Sequence, residues 1–269
     1  MDAQTTELLP QQFSWIPINL LHHAQLNELI EELRLYIALK LYFSGKIRGK
    51  KSMFKPLKEL HGAKSHHTFD KRLERLQQLN WIGYNSTSDY YFIRSYERVC
   101  SDLGIRSETC AEFETKHLKH FRIFVFAAIV GKKIKSMEYA KRKRKGEHRL
   151  VPKYWERTNP SLPLPFPDYV GLPVSTLVEM TGKARSWCSE LKNLAEKVGL
   201  LKTKEKLITV DIVPKNPYIR EGLKELYPNC YGRFRTKIIS RGKYAGMVRI
   251  LEQLPDEITP LIRYRKRRR

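Results

Sequence analysis

One pattern is written twice in this chain of 269 residues, and any fold has to house both copies. The first copy is Leu57-Lys58-Glu59-Leu60-His61-Gly62, a short basic turn, Phe69, Leu73 and Leu76 at helical spacing, and then Trp81-Ile82. The second is Leu177-Val178-Glu179-Met180-Thr181-Gly182, another basic turn, Trp187, Leu191 and Leu194, and then Gly199-Leu200-Leu201. The second turn is two residues shorter. Each copy reads as a helix stopped by glycine, a tight turn and a second helix with one apolar face.

The flanking sequence extends each copy into a unit. Leu26, Ile30, Leu33, Ile37 and Leu41 recur at three and four residues, the stripe of an amphipathic helix that Gly45 stops. A basic connector, Lys46 to Lys51, leads to a short helix around Met53 to Leu60, and Ser65 or Thr68 can cap the helix that follows to about Asn80. Trp81-Ile82-Gly83-Tyr84 and Tyr90-Tyr91-Phe92-Ile93 flank a polar turn and predict a β-hairpin. The second unit opens with a helix from about Glu114 carrying Leu118, Phe121, Val125 and Ala128; its run Ile123 to Val130 is apolar around most of the circumference and is expected between elements or between subunits. A proline-rich stretch from Pro152 to Pro167 runs extended to the Leu177 helix. Leu200 to Thr203 and Leu207 to Val210, turned by Lys204-Glu205-Lys206, predict a second, short hairpin. Beyond Pro214 the repeat ends, and two short helices are expected around Arg220 to Leu226 and Gly246 to Leu254. The tail from Arg263 is expected to stay unfolded until it meets phosphate, because like charges at that density repel.

The expected fold is therefore mainly α with small β-hairpins. It divides into an arm (1–24), a first unit (25–98), a linker (99–112), a second unit (113–213) and a basic C-terminal region (214–269). With 51 Lys+Arg against 28 Asp+Glu, the net charge of +23 favours a polyanionic partner. Cys100, Cys110, Cys188 and Cys230 have no zinc-ribbon or redox spacing, so they read as free thiols in a reducing compartment. The polar N-terminus does not resemble a secretory signal, and the apolar run at 123–130 is too short for a bilayer, so a soluble protein without a membrane partner is expected.

Candidate sites follow from the helical wheel. With Phe69, Leu73 and Leu76 inward, His67, Lys71, Arg75 and Gln78 point outward, a basic and amide-bearing face. Arg addresses guanine O6/N7, and Gln addresses adenine N6/N7. Around Trp187 the outward set is Arg185, Ser189, Lys192, Asn193 and Glu196, with Arg185, Ser189 and Asn193 the base-reading candidates; Glu196 is repelled by phosphate unless it accepts from cytosine N4. Lys46, Arg48, Lys50 and Lys51, the cluster Lys141-Arg142-Lys143-Arg144-Lys145, and Arg265-Lys266-Arg267-Arg268-Arg269 lack the residue mix that specifies bases and read as phosphate neutralisers. In a eukaryotic protein the 141–145 run would equally serve nuclear import. Tyr84, Tyr90 and Tyr91 read as hairpin packing rather than base-stacking platforms.

Catalysis is not expected. Pro167-Asp168 with Glu190-Leu191-Lys192 imitates a metal-dependent nuclease pattern, but its second half falls in a helix rather than on a strand beside the aspartate. His117 and His120 share a helical face without a third ligand at useful spacing, and no glycine-rich phosphate loop occurs. No metal or cofactor is expected.

On these motifs the chain resembles the winged helix-turn-helix superfamily over about Leu26 to Arg94 and Glu114 to Val210, and its doubling resembles the tandem winged-helix replication initiators of plasmids and phages. The resemblance implies two winged-helix domains. It also implies sequence-specific binding of double-stranded DNA, in transcription regulation or replication initiation of a phage, plasmid or bacterium, with a nucleoid-associated location in the cytoplasm, or the nucleus in a eukaryote. The competing expectation is a packaging protein that coats nucleic acid without reading sequence. A homodimer and a replication or virion protein are further partners of either kind. Two departures stand out, the proline-rich insertion before Val174 and Ala184 where such turns carry a capping Ser or Thr.

Overall fold

The computed structural model describes residues 13–43, 45–49, 57, 65–144, 170–226 and 234–266, the side chains of 141–144 and 170 excepted. These residues are 49% helical and 28% strand and carry three antiparallel sheets, which makes the fold a mixed one and overturns the mainly α expectation.

The first sheet gathers the segments expected to be arm, linker and tail. β1 (Phe13–Pro17), β5 (Thr109–Glu114) and β10 (Tyr264–Lys266) pair in the order β1-β5-β10. Each strand pairs with segments about a hundred or more residues away, so no local turn signal announces it. The tail is thus built into the fold as far as Lys266. Arg263 meets Glu112 at 3.7 Å, and the Arg265 guanidinium lies 4.4 Å from the centre of the Trp15 ring.

The first copy is housed by α2 (Ile30–Tyr42), β2 (Lys46–Arg48), α3 (His66–Gln78), β3 (Ile82–Asn85) and β4 (Tyr90–Ile93), with sheet order β2-β4-β3. Leu57 is helical and fully buried; the rest of the helix expected at Met53 to Leu60 lies outside the described residues. The stripe from Leu26 to Leu41 does not form one helix. α1 (Ile18–Leu26) ends at a corner where Glu28 takes φ 59°, and Leu26 is exposed. α2 is buried on more than one face, with Leu35, Tyr36, Ala38 and Leu39 as enclosed as Leu33 and Ile37.

Apart from the helix around Leu57, of which only that residue is described, the second copy follows the element order of the first: α5 (Phe121–Arg144), β6 (Val170–Gly171), α6 (Val174–Thr181), α7 (Arg185–Lys197), β7 (Leu201–Val213) and β9 (Val248–Pro260). Its sheet order is β6-β9-β7, so here too the last strand lies centrally. The short hairpin expected within 200–210 does not form, since Lys204-Glu205-Lys206 contains none of the residues that turn a chain in two or three positions. Instead β7 continues unbroken and pairs with β9, absorbing the irregularity as register shifts at Lys204/Lys206 and Thr209/Asp211. The helix expected at Gly246 to Leu254 is likewise part of β9, whose Val248 and Ile250 are buried between neighbours on both edges. Between β7 and β9 lie α8 (Ile219–Leu226) and β8 (Phe234–Ile238), the latter pairing with β9.

One hydrophobic core joins the two copies. Phe124 to Val130 of α5 are buried within the single chain, packed against α1, α6, α7 and β9. Ahead of α5 come α4 (Tyr96–Asp102), whose Tyr96 hydroxyl meets Ser14 of β1, and a 3₁₀ turn (Thr115–His120) that packs on β5. Rings tie the layers together: Tyr36 packs on Trp81 at 5.4 Å in the first unit, and Phe126 of α5 meets Trp187 of α7 edge-on at 6.1 Å.

Candidate nucleic-acid interface

α3 begins where the Ser65 side chain accepts from Thr68 N at 3.2 Å, a cap that supplies one of the amide partners a helix start lacks. Phe69, Leu73 and Leu76 are buried, and His67, Lys71, Arg75 and Gln78 are all exposed. Arg75 Nη1 donates to Gln78 Oε1 at 3.1 Å, which aligns the guanidinium along the outward face. The same face also exposes Glu74, which is not in the outward set expected from the wheel.

A polar network fixes how α3 sits. Arg72 of α3, Arg34 of α2 and Arg122 of α5 converge on Glu31, at 3.4, 3.8 and 3.4 Å. One carboxylate thereby links the first unit to the central helix of the second.

α7 presents a less basic surface. Arg185 and Asn193 are exposed and Ser189 is half-buried. The buried stripe is Cys188, Leu191 and Ala195, rotated from the expected Trp187, Leu191 and Leu194 because Trp187 is only half-buried against α5. Two residues expected to point outward are engaged internally. Lys192 pairs with Asp256 of β9, and Glu196 accepts from the backbone N–H and hydroxyl of Thr203, so its carboxylate anchors the start of β7 instead of reading cytosine. Ala184 stands at the N-cap without a side-chain bond. The α6–α7 turn docks on the α1–α2 corner, where Lys183 meets Glu28 at 2.9 Å and the His22 ring bonds Met180 O at 2.8 Å.

The phosphate candidates divide. Lys46 and Arg48 are exposed on β2, with Lys46 Nζ 4.0 Å from the centre of the Tyr90 ring. Lys141 to Arg144, the first four residues of the basic cluster, continue α5 to its end. Arg265 and Lys266 belong to β10, so they are not the loose phosphate-seeking tail that the charge density suggests. Lys50, Lys51, Lys145 and Arg267 to Arg269 lie outside the described residues, as do Cys230, Asp168 and the proline-rich stretch. Tyr91 is buried with its ring 4.5 Å from that of Tyr84, whose hydroxyl donates to Asp89. Both rings are used in hairpin packing.

His117 is half-buried. Its Nδ1 accepts from Glu114 N at 3.1 Å, its ring stacks on Phe124 at 5.3 Å, and burial lowers its pKa. Among the described residues no three His, Cys, Asp or Glu come close enough to hold a metal ion, Cys100, Cys110 and Cys188 are buried free thiols, and no helix is long and apolar enough to cross a membrane. No family model, curated protein or solved structure matches this chain.

Proposed function

We propose that the protein binds double-stranded DNA sequence-specifically, presenting α3 and α7 to successive stretches of major groove. The observation that carries this reading is the double use of one element order, in which the helix after the turn is anchored in a shared core and exposes Arg75 and Gln78 in one copy, Arg185 and Asn193 in the other. These are side chains that pair bidentately with guanine or adenine edges. The net charge of +23 supports the phosphate attraction that such binding needs. Recognition of this kind serves transcription regulation or replication initiation on phage, plasmid or bacterial DNA, in the cytoplasm with the nucleoid, or in a nucleus if the source is eukaryotic.

Hydroxyl-radical footprinting on a selected duplex tests the reading. Two protected patches about one helical turn apart, within about 15 to 25 base pairs, are expected from two helices held by one core. Uniform protection that spreads along any duplex would instead mark a coat protein.

A further inference from the structure

The two copies differ in how their last two strands are joined. β3 and β4 are connected by the short turn 86–89, whereas residues 214–247 separate β7 from β9 and include α8 and β8. Its two described elements add little to the core: in α8 only Leu223 is buried, and no residue of β8 is.

What the insertion brings is charge. From Phe234 to Leu251 there are five basic residues, Arg235, Lys237, Arg241, Lys243 and Arg249, and no acidic one. Arg235 is neutralised by Glu205 at 2.8 Å. Lys237 lies directly opposite Arg249 across the β8–β9 pair, and among the described residues neither of them, nor Arg241 or Lys243, has a carboxylate partner. Like charges facing each other across two strands destabilise the pair unless an anion joins them. The hairpin nonetheless holds its shape, because Ile239 N donates to Met247 O and Gly246 N to Ile239 O, both at 2.9 Å. Gly242 and Gly246, at φ 90° and 85°, make the turn that leaves Arg241, Lys243 and Tyr244 exposed at its tip.

We propose that the β8–β9 hairpin is a separate DNA-binding element that grips the phosphate backbone outside the stretch read by α3 and α7, through Lys237, Arg241, Lys243 and Arg249. The proposal rests on the reading of the protein as a duplex DNA binder. Phosphate is the anion these cations fit, and the absence of Asn and Gln from 234–251 leaves them no amide with which to read adenine. The reach follows from the strands. β7 and β9 have 13 residues each and pair from Leu201↔Pro260 to Val213↔Val248. At roughly 3.3 Å per residue the strands are up to about 40 Å long between the end next to α7 and the end that bears the hairpin, somewhat more than one turn of B-DNA, about 34 Å.

The test uses the full chain and two duplexes, one ending at the α3/α7 footprint and one about 20 base pairs longer on each side, a margin that exceeds the reach of the arm. Wild type is expected to show a steeper fall of log K with log salt on the longer duplex. Arg241→Ser/Lys243→Ser and Lys237→Thr/Arg249→Thr should each lower that slope by about 0.9 for every phosphate no longer neutralised, and leave the short duplex unaffected. Removing the opposed charges should also raise the melting temperature of the free Lys237→Thr/Arg249→Thr protein, so weaker binding could not be put down to unfolding. Equal wild-type slopes on the two duplexes, or variants that lose affinity on both alike, would overturn the arm. Failure of the underlying reading shows separately, as a wild type that does not prefer the selected over a scrambled sequence at either length.

Discussion

At the scale of single residues, three side-chain environments make distinct claims. Arg75 is exposed on α3 and pre-aligned by Gln78, so Arg75→Ala should cost about 1 to 3 kcal/mol on a cognate site and relax preference at one base position, as read by titration against single-position variants of the site. Uniform weakening across all sites would make Arg75 a phosphate contact instead. Gly131 sits within α5, where glycine is a poor helix former, yet a Cβ there would overlap the Tyr264 hydroxyl and lie 2.8 Å from Pro260 Cβ. Tyr264 uses that space to bond the carbonyls of Ala127 and Ala128, at 3.5 and 3.2 Å. Gly131→Ala is therefore expected to destabilise by about 1 to 3 kcal/mol despite its better helix propensity, measured by urea unfolding. A stabilised variant would mean that β10 does not pack on α5. The third residue is His117. Burial lowers its pKa below the ordinary 6.5, so the unfolded chain takes up a proton before the folded one does. Its contribution is present above about pH 6.5 and is lost as pH falls toward the folded value. His117→Gln keeps an acceptor for the Glu114 N–H and should lose less melting temperature than wild type between about pH 7 and pH 5.

Between whole elements, α3 and α7 differ at their starts. Ser65 caps α3, whereas Ala184 leaves α7 uncapped in an extended conformation that serine adopts equally well. Ala184→Ser should stabilise by about 1 kcal/mol, and Ser65→Ala should cost about as much, both measured by thermal unfolding. No gain at 184 would show that the turn satisfies those amides in some other way. The same contrast explains what the sequence makes legible. α3, α7 and the β3–β4 hairpin follow from local patterns: an apolar stripe, a cap, a polar turn between aromatic runs. Strands β1, β5 and β10 carry no such signal, since their partners lie far off in sequence. β7 escapes a local reading for a related reason. Its residues 204–211 are exposed on both faces, so it lacks the alternation that marks a half-buried strand. In α7 the exposed Arg185 and Asn193 are legible, but the engagement of Lys192 and Glu196 is not, because Asp256 and Thr203 reach them only in the fold.

For the molecule as a whole, one shared core joins the two small units. α5 packs on α1, α6, α7 and β9, Glu31 gathers arginines from α2, α3 and α5, and β10 returns the C-terminal segment to the first sheet. On the proposed function, helices joined by one core would meet a duplex at one spacing, and such a spacing is what separates a sequence reader from a coat protein. Selection of bound duplexes from a random library, followed by competition at physiological salt, measures the difference directly. The account predicts enrichment of a two-part motif bound roughly 10³ to 10⁷ times more tightly than random sequence; a library that emerges without a motif, and a competition ratio near one, would contradict it.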